Sequence, residues 1–224
     1  MIDAHNHIHF KEFDADRDEV LARAATTGIK AMLAVGIDPV DSERAIAVSL
    51  AYPAVYASIG IHPQLADRYS FEDVMNLESL ACSRVIAVGE TGFDLYRSPT
   101  TERLQRSLFE AHVELARKLR LPLVIHDRQA HEHTLAVLDE TQGWNVGGVF
   151  HCFSGDTDLA MDVLDRGFHI SIPGVVTYPN ARKLMDVVRA VPLERMLVET
   201  DAPYLSPHPM RGRRNEPSYM ARTV

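Results

Sequence analysis

Short apolar, β-branched runs recur along the chain, separated by amphipathic stretches. Ala31 to Val35, Val55 to Ile59, Val85 to Val88, Leu121 to Ile125, Val146 to Phe150, His169 to Ile172 and Met196 to Val198 read as strands. Ile2 to Ala4 adds a short run at the start, giving eight. Between them, Glu19 to Ala25, Val40 to Ala51, Phe71 to Ala81, Thr101 to Leu119, Gln129 to Thr141, Leu159 to Arg166 and Ala181 to Val191 carry a helical period. The clearest is Thr101 to Leu119, where Leu104, Leu108, Leu115 and Leu119 recur on one face. Gly28 and Gly167 are placed to stop helices.

Apolar strands alternating with helices mean parallel strands covered by helices, and eight such units close a (β/α)8 barrel of the TIM type. A doubly wound open sheet is the competing α/β architecture, but no Gly-rich dinucleotide loop or Walker loop supports it. No linker, low-complexity tract or repeat divides the sequence, so residues 1–224 are expected to form a single domain. After the eighth strand come only a loop rich in Pro and Arg and the segment Pro217 to Val224, so the last helix is expected to be shortened.

Composition narrows the chemistry. The hydrophobic fraction of 46% and charged fraction of 24% are ordinary for a globular protein able to bury a core. Neither a leader pattern nor a membrane-length apolar run follows Met1, which makes the cytoplasm the expected location, with no membrane partner. Cys82 and Cys152 form no CxxC pattern and are expected to be buried thiols. A net charge of −8 gives no general attraction to nucleic acid, so phosphate chemistry would need local positive charge. Eleven histidines is a high count, and their placement becomes the question.

Six potential metal ligands fall at the C-terminal ends of the expected strands, where barrel enzymes place their active sites. They are His5 and His7, Glu90, His126, His151 and Asp201. Alternate residues of a strand share a face, so His5 and His7 can reach one ion while Asn6 faces away. Glu90 lies in Gly89-Glu90-Thr91-Gly92, whose glycines are expected to turn the backbone tightly just past the strand. Asp201 follows an apolar run, where a carboxylate is costly without a cation.

The strings Asp3-Ala4-His5-Asn6-His7, Gly60-Ile61-His62-Pro63, Gly89-Glu90-Thr91-Gly92-Phe93-Asp94, Ile125-His126-Asp127-Arg128, His151-Cys152-Phe153-Ser154-Gly155 and Glu199-Thr200-Asp201-Ala202-Pro203-Tyr204-Leu205 together resemble the ordered motifs of the TatD family of metal-dependent deoxyribonucleases. The resemblance implies an amidohydrolase-like barrel that hydrolyses phosphodiester bonds of DNA, often from the 3′ end. It implies that His5, His7, Glu90 and Asp201 hold one ion, that Glu90, His126 and His151 hold a second, and that Glu90 bridges them. Asp201 is the candidate general base. His62 and Arg128 are candidate contacts to the substrate phosphate, with a structural cap at the strand end the alternative for His62 and a salt bridge at the rim the alternative for Arg128. The loop Pro209 to Pro217 resembles the family's loop after the last strand and is expected to bring Arg211, Arg213 and Arg214 near the mouth.

Four imidazoles and two carboxylates suit zinc, manganese, cobalt or iron better than magnesium, although the family includes members discussed with magnesium. Tyr204 and Phe153 are read as packing or pocket walls, with base stacking as the alternative. His9, His112, His131, His133, His169 and His208 match no ligand position and are assigned ordinary core or surface roles. Family members usually continue for some tens of residues past Pro217. Their absence is expected to leave an apolar groove between the first and seventh helices, exposed or filled by a partner.

Two other functions fit the residues. A metal-activated water attacks carbonyl carbon as readily as phosphorus, so an amide or ester hydrolase, such as a D-aminoacyl-tRNA deacylase, shares the same ligands. A non-catalytic metal-binding scaffold is the rival from another class.

Overall fold

The computed structural model describes residues 1–224 and contains one eight-stranded sheet whose parallel strands neighbour one another in chain order. The strands are β1 (Ile2–Asn6), β2 (Ala31–Val35), β3 (Val55–Ile59), β4 (Val85–Asp94), β5 (Leu123–Arg128), β6 (Gly148–Phe150), β7 (His169–Ile172) and β8 (Met196–Val198). Seven α-helices alternate with them: α1 (Arg17–Thr26), α2 (Pro39–Ala51), α3 (Phe71–Asn76), α4 (Glu102–Leu119), α5 (His131–Glu140), α6 (Thr157–Asp165) and α7 (Arg182–Ala190). This is the α/β, (β/α)8 TIM-type barrel that the apolar pattern predicts, and the residues after β8 carry a 3-10 helix, Pro217–Arg222, rather than an α-helix. None of its helices is long and apolar enough to cross a membrane.

The departures have local causes. The third helical stretch ends at Asn76 and continues only as a 3-10 turn, Leu77–Leu80. β5 begins after Pro122, which has no amide to donate to a ladder. β6 begins after Gly147, whose φ of +78° breaks the strand direction. Gly28 and Gly167 do stop helices, with φ of +87° and +92°, the left-handed conformation that glycine adopts without steric cost. On α4 the buried stripe runs through Leu108, Phe109, His112, Leu115 and Ala116, while Leu104 is 48% exposed.

Side chains alternate across β2, sending Met32 and Ala34 outward to the helices and Leu33 and Val35 inward. Leu33 and Val35 meet Ala87, Val124 and Val149 inside the barrel. This small apolar layer is part of a packed interior, as barrels of this type require. The largest core lies outside β3 to β7, where Phe93, Phe109, Phe150 and Phe168 are buried against the helices.

β8 and β1 share no ladder. Their upper ends are joined by Asp201 N donating to His5 O at 2.9 Å and His7 N donating to Ala202 O at 2.7 Å. Residues Pro217–Arg222 form a 3-10 helix that packs on α1, with Met220 buried beside Phe13, Val20 and Ala24. Arg23 makes a two-pronged bond to Glu216 at 2.9 and 2.7 Å. The expected groove is therefore covered on its α1 side, while Ile2, Leu193 and Leu197 remain exposed. The thiols depart from expectation, since Cys82 is exposed on the surface and Cys152 is only partly covered.

Candidate metal centre

His5 is on the inward face of β1, and His7 follows one residue beyond the strand. Asn6 is turned away, its amide bound to Asp3 Oδ2 at 3.1 Å and its carbonyl oxygen accepting from Ile8 N at 3.1 Å. His126 sits within β5, His151 directly after β6, and Asp201 three residues past β8. Asp201 has φ of +54°, a conformation that Asp tolerates better than most residues and that its bond to His5 O helps to hold.

Glu90 corrects the sequence reading. It does not end β4 but lies inside it, where the register with β5 shifts between Val88 and Thr91. Gly89 and Gly92 make no turn past the strand. Each has a large positive φ and lies against β5, where a Cβ would collide with the carbonyl oxygens of Val124 and His126 respectively. The glycines thus permit close backbone approach at an irregular stretch that aims Glu90 into the barrel.

The two oxygens of Glu90 face different histidines. Oε2 lies 3.5 Å from His5 Nε2 and 4.0 Å from His7 Nε2, and Asp201 Oδ1 lies 3.7 and 3.5 Å from the same two nitrogens. Oε1 lies 2.8 Å from His126 Nδ1, 2.9 Å from His151 Nε2 and 3.4 Å from His62 Nε2. All six sequence-nominated ligands are therefore brought together, in two donor sets that share one carboxylate. His62 joins the second set, closer to the ligands than its nomination as a phosphate contact implied.

The donors suit divalent ions. His5 Nε2 is buried without a hydrogen-bond partner. His7 Nδ1 is 2.8 Å from Val35 O, a bond that puts the proton on Nδ1 and leaves the Nε2 lone pair free. Burial would raise the Glu90 pKa, but His151, His62 and His5 outweigh it and hold the carboxyl well below its ordinary value. Burial likewise opposes ionisation of Asp201, and His7, His5 and His151 overcome it. The surroundings of both carboxylates thus favour the ionised form, the form in which a carboxylate binds metal.

All of these residues except the fully buried His5 line a cleft of about 890 Å³, whose walls include Phe10, Gln64, Arg97, Arg128, Tyr204 and Leu205. The Arg128 guanidinium lies 4.6 Å from the Tyr96 ring centre and makes no ion pair. Tyr204 is 53% exposed at the cleft, whereas Phe153 is buried packing. The arginine loop is not where it was expected, since none of Arg211, Arg213 and Arg214 lines the cleft. Arg214 turns to α1 and pairs with Asp16 at 2.6 Å, and Arg211 lies over Tyr178 at 4.3 Å, outside the residues that line the cleft.

Of the other histidines, His131 departs from its expected ordinary role by lining the cleft, where it pairs with Asp127 at 2.8 Å. His9 is buried against Asp41 at 2.9 Å, and His112 is a core residue that accepts from Ile61 N at 2.9 Å and donates to Leu108 O at 2.6 Å. Sequence reasoning missed Phe10, whose ring stacks on His7 at 4.5 Å, and the buried Asp94 and Glu199 behind the donor sets. Asp94 and Glu199 both stood inside the quoted motifs, so position was available as a signal, but depth was not.

Comparison with known proteins agrees with this geometry. The family described as TatD related DNase matches residues 2–224. The chain is 40% identical over 228 residues to the uncharacterized metal-dependent hydrolase YcfH of Escherichia coli strain K12, covering 100% of this chain and 85% of that protein. It is 34% identical over 226 residues to the 3′-5′ ssDNA/RNA exonuclease TatD of Salmonella typhimurium, covering 98% and 87%. The crystal structure of YJJV, a TatD homologue from E. coli K12, superposes with a TM-score of 0.91 at 32% identity, covering 99% of this chain and 86% of that one.

Proposed function

This chain belongs to the TatD family of metal-dependent hydrolases, and from that premise we propose that it cleaves phosphodiester bonds of DNA, as a 3′-5′ exonuclease, through two divalent ions that share Glu90. The observation that carries the proposal is the division of one buried carboxylate between two donor sets, Oε2 toward His5 and His7 and Oε1 toward His126 and His151. Zinc, manganese, cobalt and iron suit these donors best, with magnesium the least favoured. Ions bound there would supply an activated water and stabilise the phosphoryl and leaving oxygens of an in-line displacement.

The chain's own residues divide the remaining work. The ionised Asp201 carboxylate accepts the proton of the attacking water. His62 and Arg128 hold the scissile phosphate, Arg128 through a guanidinium free of any ion pair. Arg211, beyond the rim, meets a more distant phosphate of a longer strand. Tyr204 and Phe10 offer aromatic faces for stacking an unpaired base, which suits a single-stranded end. The name of the Salmonella relative supports nucleic acid as the substrate.

A panel of labelled single- and double-stranded DNA, RNA and aminoacyl-tRNA, offered to metal-reconstituted protein, tests the reading. Stepwise shortening of single-stranded DNA from its 3′ end is expected. Cleavage of the acyl bond alone would replace this function with a deacylase, and no turnover with any ion would favour a metal-binding scaffold.

A further inference from the structure

The two histidines at Oε1 of Glu90 present opposite ring nitrogens to it. His126 offers Nδ1 at 2.8 Å and His151 offers Nε2 at 2.9 Å. A neutral imidazole carries one N–H, so a ring that ligates through Nδ1 must hold its proton on Nε2, and the reverse. The same donor set thus needs two different tautomers.

Behind each ring stands a carboxylate of its own. Asp94 Oδ2 lies 3.3 Å from His126 Nε2, and Glu199 Oε1 lies 3.4 Å from His151 Nδ1. Both carboxylates are fully buried. Asp94 is tied in place by Gln64 Nε2 at 2.6 Å and Arg97 N at 2.8 Å, and Glu199 by Cys152 N at 2.8 Å. Glu199 has a second neighbour. Its Oε2 and His5 Nδ1 are both buried without hydrogen-bond partners, and His5, His151 and Glu199 bring donor atoms within 4.8 Å of one another.

We propose that Asp94 and Glu199 are positioning residues that set the tautomers of the ligand histidines. Asp94 keeps the proton on His126 Nε2 and serves the second donor set alone. Glu199 keeps it on Nδ1 of His151 and of His5, and so serves both sets. The proposal rests on the two-ion reading of the preceding subsection. An isosteric amide can turn its NH2 toward the ring, which drives the ring proton onto the metal-facing nitrogen and blocks ligation there.

The test is equilibrium binding of Zn2+ to metal-free wild type, Asp94→Asn and Glu199→Gln by chelator competition, with folding checked by circular dichroism. Imidazole 15N spectra of the zinc-loaded wild type read the tautomers directly. We expect His126 protonated at Nε2 and His5 and His151 at Nδ1. In Asp94→Asn the first ion binds as in wild type and the second about 10- to 100-fold more weakly, whereas in Glu199→Gln both weaken by about that factor. Wild-type affinities in both variants, or reversed tautomers in the wild type, would overturn the proposal while leaving the two-ion reading intact. A wild type that binds no zinc would remove that reading and this one with it. If a variant fails to fold, the wild-type spectrum decides.

Discussion

The amide of Asp201 donates to the carbonyl of His5 at 2.9 Å, and the Asp201 carboxylate comes within 3.7 Å of the His5 imidazole. The first donor set and the seam of the barrel are therefore one structure. Below them Asp3 acts as a buried clasp across that seam, accepting from Thr200 N at 2.9 Å and Thr200 Oγ1 at 2.6 Å. Burial raises its pKa to about 7 against the pull of those bonds.

Asp3→Ala strips the clasp and leaves buried Thr200 donors without partners. A loss of about 3 kcal/mol is expected from urea unfolding, on the scale of a few unsatisfied buried groups. Zinc affinity of the first donor set should fall with it, because His5 and Asp201 lose their common frame.

Glu90→Gln keeps the shape of the bridge and removes its charge. Turnover should drop by at least about 100-fold, the scale of losing one preorganised polar group at a reacting centre. Bound metal, measured by elemental analysis, should drop as well. Full activity in this variant would contradict a shared carboxylate.

Arg128 lines the cleft and Arg211 does not. Arg128→Ala should therefore raise KM for single-stranded DNA substantially and reduce its dependence on salt, while Arg211→Ala has a smaller effect that grows with strand length. Equal effects on a dinucleotide would mean that Arg211 reaches the site after all.

His112 gives the fold a pH dependence away from the metal ligands. Burial lowers its pKa from 6.5 to about 4, with the bond to Leu108 opposing. Below pH 6.5 the unfolded chain takes up a proton that the folded chain refuses, so this stability is present above pH 6.5 and is lost as pH falls toward 4. The loss amounts to roughly 3 kcal/mol. Unfolding of His112→Gln across that range should lack this component, and an unchanged slope relative to wild type would show that His112 is not the group responsible.

Much of this architecture was legible in the sequence because its signals are periodic. Runs such as Val55–Ile59 and the amphipathic stretch of α4 name their own structure. The six residues that meet around Glu90 were legible because the strand pleat and the family's motifs point to the same positions. What stayed hidden depends on contacts distant in sequence. Gly89 and Gly92 read as turn formers, and only β5 lying against them shows that they make room for a neighbouring backbone. Arg214 reads as free positive charge until Asp16 on the far side of the chain claims it. Asp94 and Glu199 read as motif polar residues until burial places each behind a particular ring nitrogen.

In the proposed function Glu90 joins two ions that the reaction needs. Metal-free protein titrated with manganese or zinc, with 3′-end release from single-stranded DNA followed at each point, tests it most directly. No turnover is expected without metal, little after one equivalent and full turnover only as the second fills. Full turnover in the presence of excess chelator, or saturation of activity at one equivalent, would contradict it.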